Sequence, residues 1–365
     1  MTYYRRGGIS LYITRLVSAL EALATPHRWT VFHSRKSRES LVEQFERSVL
    51  WTPAHHRIER YALSVELLRH RLDVLHSPDF IPPLRGGRFH VATVHDLTFL
   101  HYPQFLTQES QHYYNHQIAW AVAHADHILT ISEASKRDIM SMLGVASEKI
   151  TVHLPGVDDS FKPVDRETVA RRLNALDLPT DYFLFVGTFE PRKNIIGLAR
   201  AYRKLVDMHP GAPPLVLAGS PGWNFDDTRA AIDALSLPDH ILWREAIPQD
   251  MLPALYSGAL ALIMPSFYEG FGLPPLEAMA CGTLPIVSNR ASLPEVVGPV
   301  GVQVDPRTRP ASRKPCGVPG RIRSGAAPRR RRAGNGRRHS RGNALQKSLY
   351  PSINYSTESY PQCEP

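Results

Sequence analysis

The chain has 365 residues, of which 43% are hydrophobic and 21% are charged, a globular composition that is neither disordered nor fibrous. Its length suggests about two domains, and no run reaches the roughly 18 apolar residues of a membrane-spanning helix. The first ten residues lack the apolar segment of a secretory signal. Three cysteines, Cys281, Cys316 and Cys363, offer neither a disulfide framework nor a zinc site, so we expect a cytoplasmic protein with reduced thiols.

The net charge of +9 is concentrated at the end of the chain. Fourteen basic and two acidic residues follow Pro306, whereas residues 1–306 carry 29 basic and 32 acidic residues. The segment 307–365 is rich in Arg, Gly, Pro and Ala without hydrophobic periodicity, which predicts disorder. It is either an arm for nucleic acid or another anionic surface, or a frame-shifted gene end. We favour the frame-shifted end, and no specific nucleic-acid partner, because no binding fold accompanies the charge.

Residues 1–306 alternate apolar strands with amphipathic helices, which is typical of parallel α/β units. Apolar residues at spacings of three and four predict helices from Ile9 and from Ile195. The predicted strands are 29–33, 74–76, 91–95, 128–131, 150–153, 183–187, 215–219, 261–264 and 285–288.

Pro155 and Gly156 interrupt regular structure after the strand predicted at 150–153, which indicates a domain boundary near Gly156. We therefore predict an α/β fold of two Rossmann-like domains that face each other, over residues 1–155 and 156–306. Ligands are expected between them, at the carboxyl ends of the parallel strands.

A pair of glycines, Gly7 and Gly8, directly precedes the first predicted helix. Glycine lets the backbone approach a ligand, and the helix N-terminus offers free N–H groups to a diphosphate. A plain turn before a helix explains the pair equally well. A doubly wound domain opens with a strand before such a loop, and none is evident here, so we expect that the first strand is missing.

A second loop, FVGTFEPRKN at 185–194, leads from a predicted strand into a helix. Arg192 and Lys193 stand beside the helix N-terminus, where a cation is unfavourable unless an anion is bound. Asn194 is suited to cap that helix. The alternative is two solvated surface cations, but a loop at a strand's carboxyl end favours ligand binding.

A third segment, PSFYEGFGLPPLEAMACGTLPIVSN at 265–289, opens from a buried strand into a glycine-containing loop. Two prolines begin a short helix that Gly282 can end. Glu269 is predicted on the loop and Glu277 in the first turn of the helix. Taken one at a time, Glu269 is explained as a solvated loop acid and Glu277 as an acid that complements the helix dipole. Two carboxylates at one strand end indicate a ligand site.

His95 and Asp96 are predicted at the end of the strand 91–95, and so in the same cleft. A histidine there can hydrogen-bond hydroxyl groups or move a proton, although a structural role is an equal alternative. Ser132 is fully explained as the N-cap of the next helix. The remaining histidines, such as those in HYYNHQIAWAVAHA, are interpreted as helix surface, with Tyr113 and Trp120 in the core.

Taken together, these motifs resemble glycosyltransferase family 4, the group 1 glycosyltransferases, over roughly residues 3–306. The resemblance implies the GT-B architecture and transfer of a sugar from a nucleotide sugar, with retention of anomeric configuration and without an essential metal or other cofactor. The segments that carry it are GGISLYITRLVSAL, TVHDLTFLHYP, ADHILTISEASKRDI, VHLPGVD, FVGTFEPRKN, EGFGLPPLEAMACGTLPIVSN and SLPEVVG.

The resemblance also assigns roles to residues. Glu277 resembles the ligand of the donor ribose, and Glu269 faces the donor sugar. Lys193 resembles the diphosphate-neutralising lysine, Arg192 is a second phosphate ligand, and His95 matches the cleft histidine. With Glu269, Lys193, Arg192 and His95 as the catalytic set, the expected donor-binding positions are Gly7, Gly8, Gly187, Thr188, Gly270, Phe271, Gly272, Leu273 and Glu277.

The chain departs from the family pattern at three places. Thr188 stands where many members have an arginine, although a mannosyltransferase-like branch shares VGT-x-EPRKN. Many members have a glycine-bearing turn where this chain has Arg244, Glu245 and Ala246. This difference puts in doubt the loop that the resemblance places beside the nucleotide base. The arginine-rich tail replaces the closing helices of the family.

The expected function is therefore transfer of a hexose to a glycan or lipid-linked acceptor, and the resemblance to the mannosyltransferase-like branch suggests mannose from GDP-mannose. One alternative is a truncated, inactive remnant that only binds nucleotide. A less favoured one is nucleic-acid binding through the tail. Peripheral contact with the inner face of a membrane stays open, but no basic amphipathic helix supports it.

Overall fold

In the computed structural model of the chain, the residues described are 8–23, 25–37, 40–52, 58–79, 83–105 and 108–307. They belong to one compact unit, so the boundary near Gly156 and the two ranges drawn from it stay predictions. Gly7, the strand expected before it and the tail from residue 308 lie outside the described residues.

The first half of the chain forms two parallel sheets. β1 pairs with β2, and a separate four-stranded sheet has the order β3-β4-β5-β6. The strands are β1 (Thr30–Ser34), β2 (Glu46–Leu50), β3 (Leu72–Ser77), β4 (Gly87–Thr93), β5 (His127–Thr130) and β6 (Ile150–Val152). The helices are α1 (Gly8–Ala22), α2 (Glu59–Leu67), α3 (Thr98–His101), α4 (Gln108–His124) and α5 (Glu133–Leu143).

The second half forms one parallel sheet of six strands in the order β12-β11-β10-β7-β8-β9. Its strands are β7 (Tyr182–Val186), β8 (Leu215–Gly219), β9 (Ile241–Glu245), β10 (Ala259–Met264), β11 (Leu284–Ser288) and β12 (Val302–Val304). Its helices are α6 (Arg166–Asn174), α7 (Ile195–Met208), α8 (Phe225–Asp233), α9 (Leu252–Gly258), α10 (Leu273–Ala280) and α11 (Leu293–Val297). The chain runs outward from β7 through β8 to β9, then returns to the other side of β7 as β10. The topological switch point, where parallel α/β sheets bind ligands, therefore lies between β7 and β10.

Both faces of this sheet are buried, as its apolar strands require. Tyr182 and Leu184 of β7 pack into a core with residues of α6 and α9. Phe185 packs on the opposite face with residues of α7. The phenolic hydroxyl of Tyr182 donates a 2.6 Å hydrogen bond to the carbonyl of Leu255, so its one polar atom is satisfied inside the core. These contacts hold β7 between the two layers of helices.

All nine strands predicted from sequence are present, with ends that differ by a few residues. Three strands were not predicted, namely β2, β9 and β12. They are short strands at sheet edges with largely exposed or half-buried side chains, so their sequences lack a strong apolar pattern. The strand predicted at 91–95 was placed too far along the chain, because β4 ends at Thr93 and His95 follows it.

The ends of β7 and β8 approach each other so closely that a glycine is required. A Cβ atom built on Gly219 would lie 1.8 Å from the carbonyl oxygen of Gly187. Gly187 itself has a φ of +151°, which L side chains rarely adopt. Any side chain at Gly219 would therefore displace the loop that leads to Lys193.

Gly219→Ala is expected to lower the free energy of unfolding by about 2 kcal/mol or more, since backbone has to move. Gly211→Ala is the matched control, because a Cβ atom there meets nothing within 4 Å. Urea denaturation of both variants and of the wild type measures the difference. Equal stability of the two variants would contradict the tight approach of β7 and β8.

Candidate active site

The site is built on the two loops at the switch point. β7 and β10 pair in parallel, so the loop after β7 (residues 187–194) and the loop after β10 (residues 265–272) start at the same edge of the sheet. The first loop carries Arg192 and Lys193, and the second carries Glu269. Two segments that lie about 75 residues apart in the chain are thereby brought into contact.

Glu269 is the centre of this contact. Its Oε1 atom accepts hydrogen bonds from Lys193 Nζ at 2.9 Å and from Ser266 Oγ at 2.7 Å, and its Oε2 atom accepts one from Arg192 Nη1 at 2.7 Å. Glu269 and Lys193 are both buried, with 8% and 7% of their surface exposed. Burial alone would raise the pKa of Glu269, but the charges of Arg192 and Lys193 outweigh it and lower that pKa to about 2. The carboxylate is therefore ionised at neutral pH.

Arg192 is held on both sides by carboxylates. Its Nε atom donates to Glu190 Oε2 at 2.8 Å, and its Nη1 atom also donates to the carbonyl of Tyr268 at 3.2 Å. Burial opposes the charge, yet Glu269, Glu190 and Asp96 together raise the pKa of Arg192. The sequence indicated that cations beside this helix N-terminus require an anion. In the structure the carboxylate of Glu269 is such an anion, because it binds both Arg192 and Lys193.

The predicted capping role of Asn194 is wrong. Asn194 occupies the N-cap position of α7 with a φ of +56°, but its side chain accepts no hydrogen bond from the first N–H groups of the helix. Its Nδ2 atom instead donates to the carbonyls of Pro265 and Pro306, each at 3.2 Å. The side chain thereby links the loop after β7 to the start of the loop after β10.

The predicted helix position of Glu277 is also wrong. Because Pro274 and Pro275 lie at the start of α10, which begins at Leu273, Glu277 falls in the second turn. Its Oε2 atom accepts a 2.6 Å hydrogen bond from the Tyr256 hydroxyl, and burial raises the pKa of Glu277. One carboxylate oxygen of Glu277 thus faces α9. Glu277 is bound by a tyrosine hydroxyl, whereas Glu269 is bound by two cations. Gly282, with a φ of +81°, follows the last turn as predicted.

The glycines of the site make close backbone approaches. Gly187 lies against the Lys193 side chain, whose Nζ atom would be 3.3 Å from a Cβ atom at that position. A Cβ atom on Gly270 would lie 2.7 Å from Asp96 Oδ2. Gly272 is the N-cap residue of α10.

The other predicted donor-binding positions fall on the same loops, except at the start of the chain. Thr188 is half-buried on the loop after β7, Phe271 is buried, and Leu273 is the partly buried first residue of α10. Gly8 is the first residue of α1.

His95 lies in a cluster that the sequence did not reveal. Its Nε2 atom donates to the carbonyl of Pro78 at 2.9 Å, so in the neutral ring Nδ1 carries the lone pair. The Tyr12 ring contacts His95 edge-on, with centroids 4.8 Å apart, and the Tyr12 hydroxyl lies 2.6 Å from His153 Nε2. His76 Nε2 lies 2.8 Å from Thr93 Oγ1. The sequence did contain a signal for this cluster, because His76 lies in β3 and His153 directly follows β6.

Two of these histidines, His76 and His153, are uncharged at neutral pH. Burial, followed by the nearby rings of His153 and His95, lowers the pKa of His76 to about 4. Burial and His95 also lower the pKa of His153. His76 and His153 therefore present neutral imidazoles at the carboxyl edge of the β3–β6 sheet.

Other predicted positions lie outside the site. Ser132 caps α5 as predicted, since its side chain accepts from Ser135 N. Trp120 is half-buried rather than in the core, because it lies between Arg60 and His124 on the surface side of α4. The side chain of Tyr113 is outside the described residues.

Over the described residues, no group of three or more His, Cys, Asp or Glu side chains is arranged to hold a metal ion. None of the helices in the described ranges is both long enough and apolar enough to cross a membrane.

Comparison with known proteins agrees with this architecture. The family profile described as "Glycosyl transferases group 1" matches residues 167–308, and the profile "Glycosyltransferase Family 4" matches residues 6–161. The O-antigen chain mannosyltransferase B of Escherichia coli is 30% identical over 321 residues, which cover 83% of this chain and 84% of that protein.

Two solved structures share the fold. Sucrose-phosphate synthase from Thermosynechococcus elongatus superposes with a TM-score of 0.66 at 20% identity, covering 83% of this chain and 81% of that one. HepE of Anabaena, in complex with UDP and glucose, gives a TM-score of 0.65 at 17% identity and covers 83% of each chain. At these identities the similarity shows the fold alone.

Two halves with parallel sheets, and paired loops at the switch point of the second sheet, define the GT-B class of fold. The chain belongs to glycosyltransferase family 4, the group 1 glycosyltransferases, and it is a glycosyltransferase.

The histidine cluster predicts acid sensitivity. Below the ordinary pKa of 6.5, the unfolded chain takes up a proton on His76 that the folded chain takes up only near pH 4. The free energy of unfolding should therefore fall between pH 7 and pH 5 by up to about 2 kcal/mol more in the wild type than in His76→Gln. Urea denaturation at both pH values measures this. The exposed His209→Gln variant should follow the wild type, and a His76→Gln variant that also does so would refute the assignment.

Proposed function

We propose that the chain is a retaining hexosyltransferase that moves mannose from a nucleoside-diphosphate donor to a glycan or lipid-linked acceptor. The observation that carries the proposal is the triad of buried Glu269, buried Lys193 and partly buried Arg192 at the switch point. Two preorganised cations at the carboxyl end of β7 suit the charge of a diphosphate. An ionised carboxylate between them suits the sugar that this diphosphate activates.

The donor can be accommodated without loss of the triad. Lys193 Nζ has three hydrogens, and one of them is donated to Glu269. Arg192 uses Nε and Nη1 on carboxylates, and within the described part of the chain no partner is found for its Nη2. Donors therefore remain for phosphate oxygens while Glu269 stays in place. The nucleotide-bound complex of HepE supports a diphosphate donor, since that protein has the same fold.

The two glutamates have separate roles in this proposal. Glu277 uses Oε2 for the Tyr256 hydroxyl, and its Oε1 atom is assigned to the ribose hydroxyls of the donor. Glu269 faces the donor sugar together with the backbone of residues 270–272. Two carboxylates with different surroundings can thus hold two different parts of one donor.

The proposed reaction needs no protein nucleophile. The bond between the anomeric carbon and the phosphate oxygen breaks first in the transition state, which leaves positive charge on the sugar and negative charge on the diphosphate. Lys193 and Arg192 stabilise the leaving diphosphate, and Glu269 stabilises the positive sugar. The acceptor hydroxyl attacks from the face that the diphosphate leaves, and its proton passes to a leaving phosphate oxygen. Configuration is retained, and the cations act where other transferases use a metal.

His95 is proposed to orient the acceptor. Its Nε2 hydrogen is committed to the carbonyl of Pro78, so Nδ1 is the atom that can accept a hydrogen bond from a sugar hydroxyl. A mannosyl group and an O-antigen type of glycan acceptor are suggested by the printed function of the Escherichia coli relative. The retaining course, the donor base and the acceptor are parts of the proposal.

The function is tested with the purified full chain and a panel of nucleoside-diphosphate hexoses, with mannosylated oligosaccharides as acceptors. Release of nucleoside diphosphate and the anomeric configuration of the product, read by NMR, are the measurements. GDP-mannose should give an α-linked product from the α-linked donor. Nucleotide binding in calorimetry without turnover on any donor would refute the proposal and favour an inactive remnant.

Lys193→Ala should raise the barrier to transfer by about 2–4 kcal/mol, because one preorganised donor to the leaving group is lost. The exposed Lys204→Ala on α7 is the control for loss of a positive charge. Turnover numbers at saturating donor give the barrier difference. Unchanged turnover in Lys193→Ala would remove Lys193 from the mechanism.

A further inference from the structure

The loop that carries Glu269 is fastened to the first half of the chain through helix α5. Asp138 of α5 accepts a 2.6 Å hydrogen bond from the hydroxyl of Tyr268, the residue directly before Glu269. The same Asp138 oxygen lies 2.9 Å from His101 Nε2, and the His101 and Tyr268 rings are in contact with centroids 4.8 Å apart. Burial, followed by the charges of Asp96 and Asp138, raises the pKa of Tyr268, so its hydroxyl stays protonated and donates.

Further contacts from the first half lie on both sides of Glu269. Before it, the Tyr102 hydroxyl donates to the carbonyl of Phe267 at 3.2 Å. After it, Ser135 Oγ of α5 lies 3.4 Å from the carbonyl oxygen of Gly270. The residues around Glu269 are therefore held from the opposite half of the molecule.

The first turn of α5 makes one more contact with the second half. The backbone N–H of Glu133 donates to Glu295 Oε1 of α11 at 3.0 Å. Residues 133, 135 and 138 thus all contact the second half from the first two turns of one helix. A short helix with three such contacts is a docking element rather than a chance neighbour.

We propose that Asp138 is a positioning residue that acts through the Tyr268 hydroxyl to hold the loop in the conformation that places Glu269 between Arg192 and Lys193. Docking of α5 on the loop then completes the active site, so contact between the two halves is coupled to catalysis. In its kinetic consequences the inference rests on the proposed function.

The geometry separates positioning from direct catalysis. Hydrogen bonds to the Glu269 carboxylate come from Ser266, Arg192 and Lys193, all in the second half. The contacts from α5 reach the residues on either side of it. Loss of the Tyr268–Asp138 hydrogen bond should thus make the loop more mobile and lower the turnover number. It should affect the affinity for the donor less.

The test uses Tyr268→Phe and Asp138→Ala in the full chain, with Tyr202→Phe as the matched control. Tyr202 is a buried tyrosine of α7 whose hydroxyl donates to the Pro213 carbonyl, away from the loop. Hydrogen exchange of the amides in residues 267–272 should become about tenfold faster in both loop variants and stay unchanged in the control, as expected for loss of a hydrogen bond to a charged group.

Kinetics give a second measurement. kcat should fall about tenfold in Tyr268→Phe, with KM for the donor within about threefold of the wild type. The double variant should be no slower than the slower of the two single variants, because both remove the Tyr268–Asp138 hydrogen bond. Additive losses, or exchange in residues 267–272 equal to that of Tyr202→Phe, would overturn the inference.

The two proposals fail in different ways. If the wild type transfers no sugar, the proposed function fails, and the exchange measurement still decides the positioning role. If one variant does not fold, as judged by its thermal transition, the other variant carries the measurement, because each removes the contact from a different side.

Discussion

The candidate active site depends on one largely buried arrangement of charges, the Glu269 carboxylate between the cations of Arg192 and Lys193. A buried ion costs several kcal/mol unless it is paired and hydrogen-bonded, and removal of one partner leaves the other uncompensated. The three side chains come from two loops. The charges therefore hold the loops together, and the loops in turn require β7 and β10 to be neighbours, with Gly187 and Gly219 in close contact at the end of β7.

This arrangement explains how a site for a charged ligand can exist before the ligand binds. The cations stand beside the N-terminus of α7, where positive charge is unfavourable, and Glu269 offsets it. A diphosphate would meet side chains that are already desolvated and oriented, which is the condition under which charged groups stabilise a transition state most. The half that supplies α5 holds the same loop from the other side. The site therefore belongs to both halves of the chain.

Much of this could be predicted from residue patterns. The apolar strands 183–187, 215–219 and 261–264 were evident because strands buried on both faces are nearly continuous apolar runs. Lys193 and Glu269 could be predicted as site residues because each follows such a strand. The edge strands β2, β9 and β12 could not be predicted because they are short, their side chains are largely exposed or half-buried, and their composition is mixed. The tyrosine, serine and histidine partners were missed because they are common residues whose contacts lie far away in sequence.

The sequence by itself determined the parallel α/β class, the loops at strand ends, the cap at Ser132 and the terminating Gly282, since these follow from local pattern and backbone preference. Only the tertiary structure decided the partners of the charged groups. It paired Glu269 with Lys193, placed Glu277 against Tyr256, and turned Asn194 toward Pro265. The physical reason is that a side chain's partner depends on strand order and on the direction in which a loop leaves its strand. Neither property is encoded in the residues next to it.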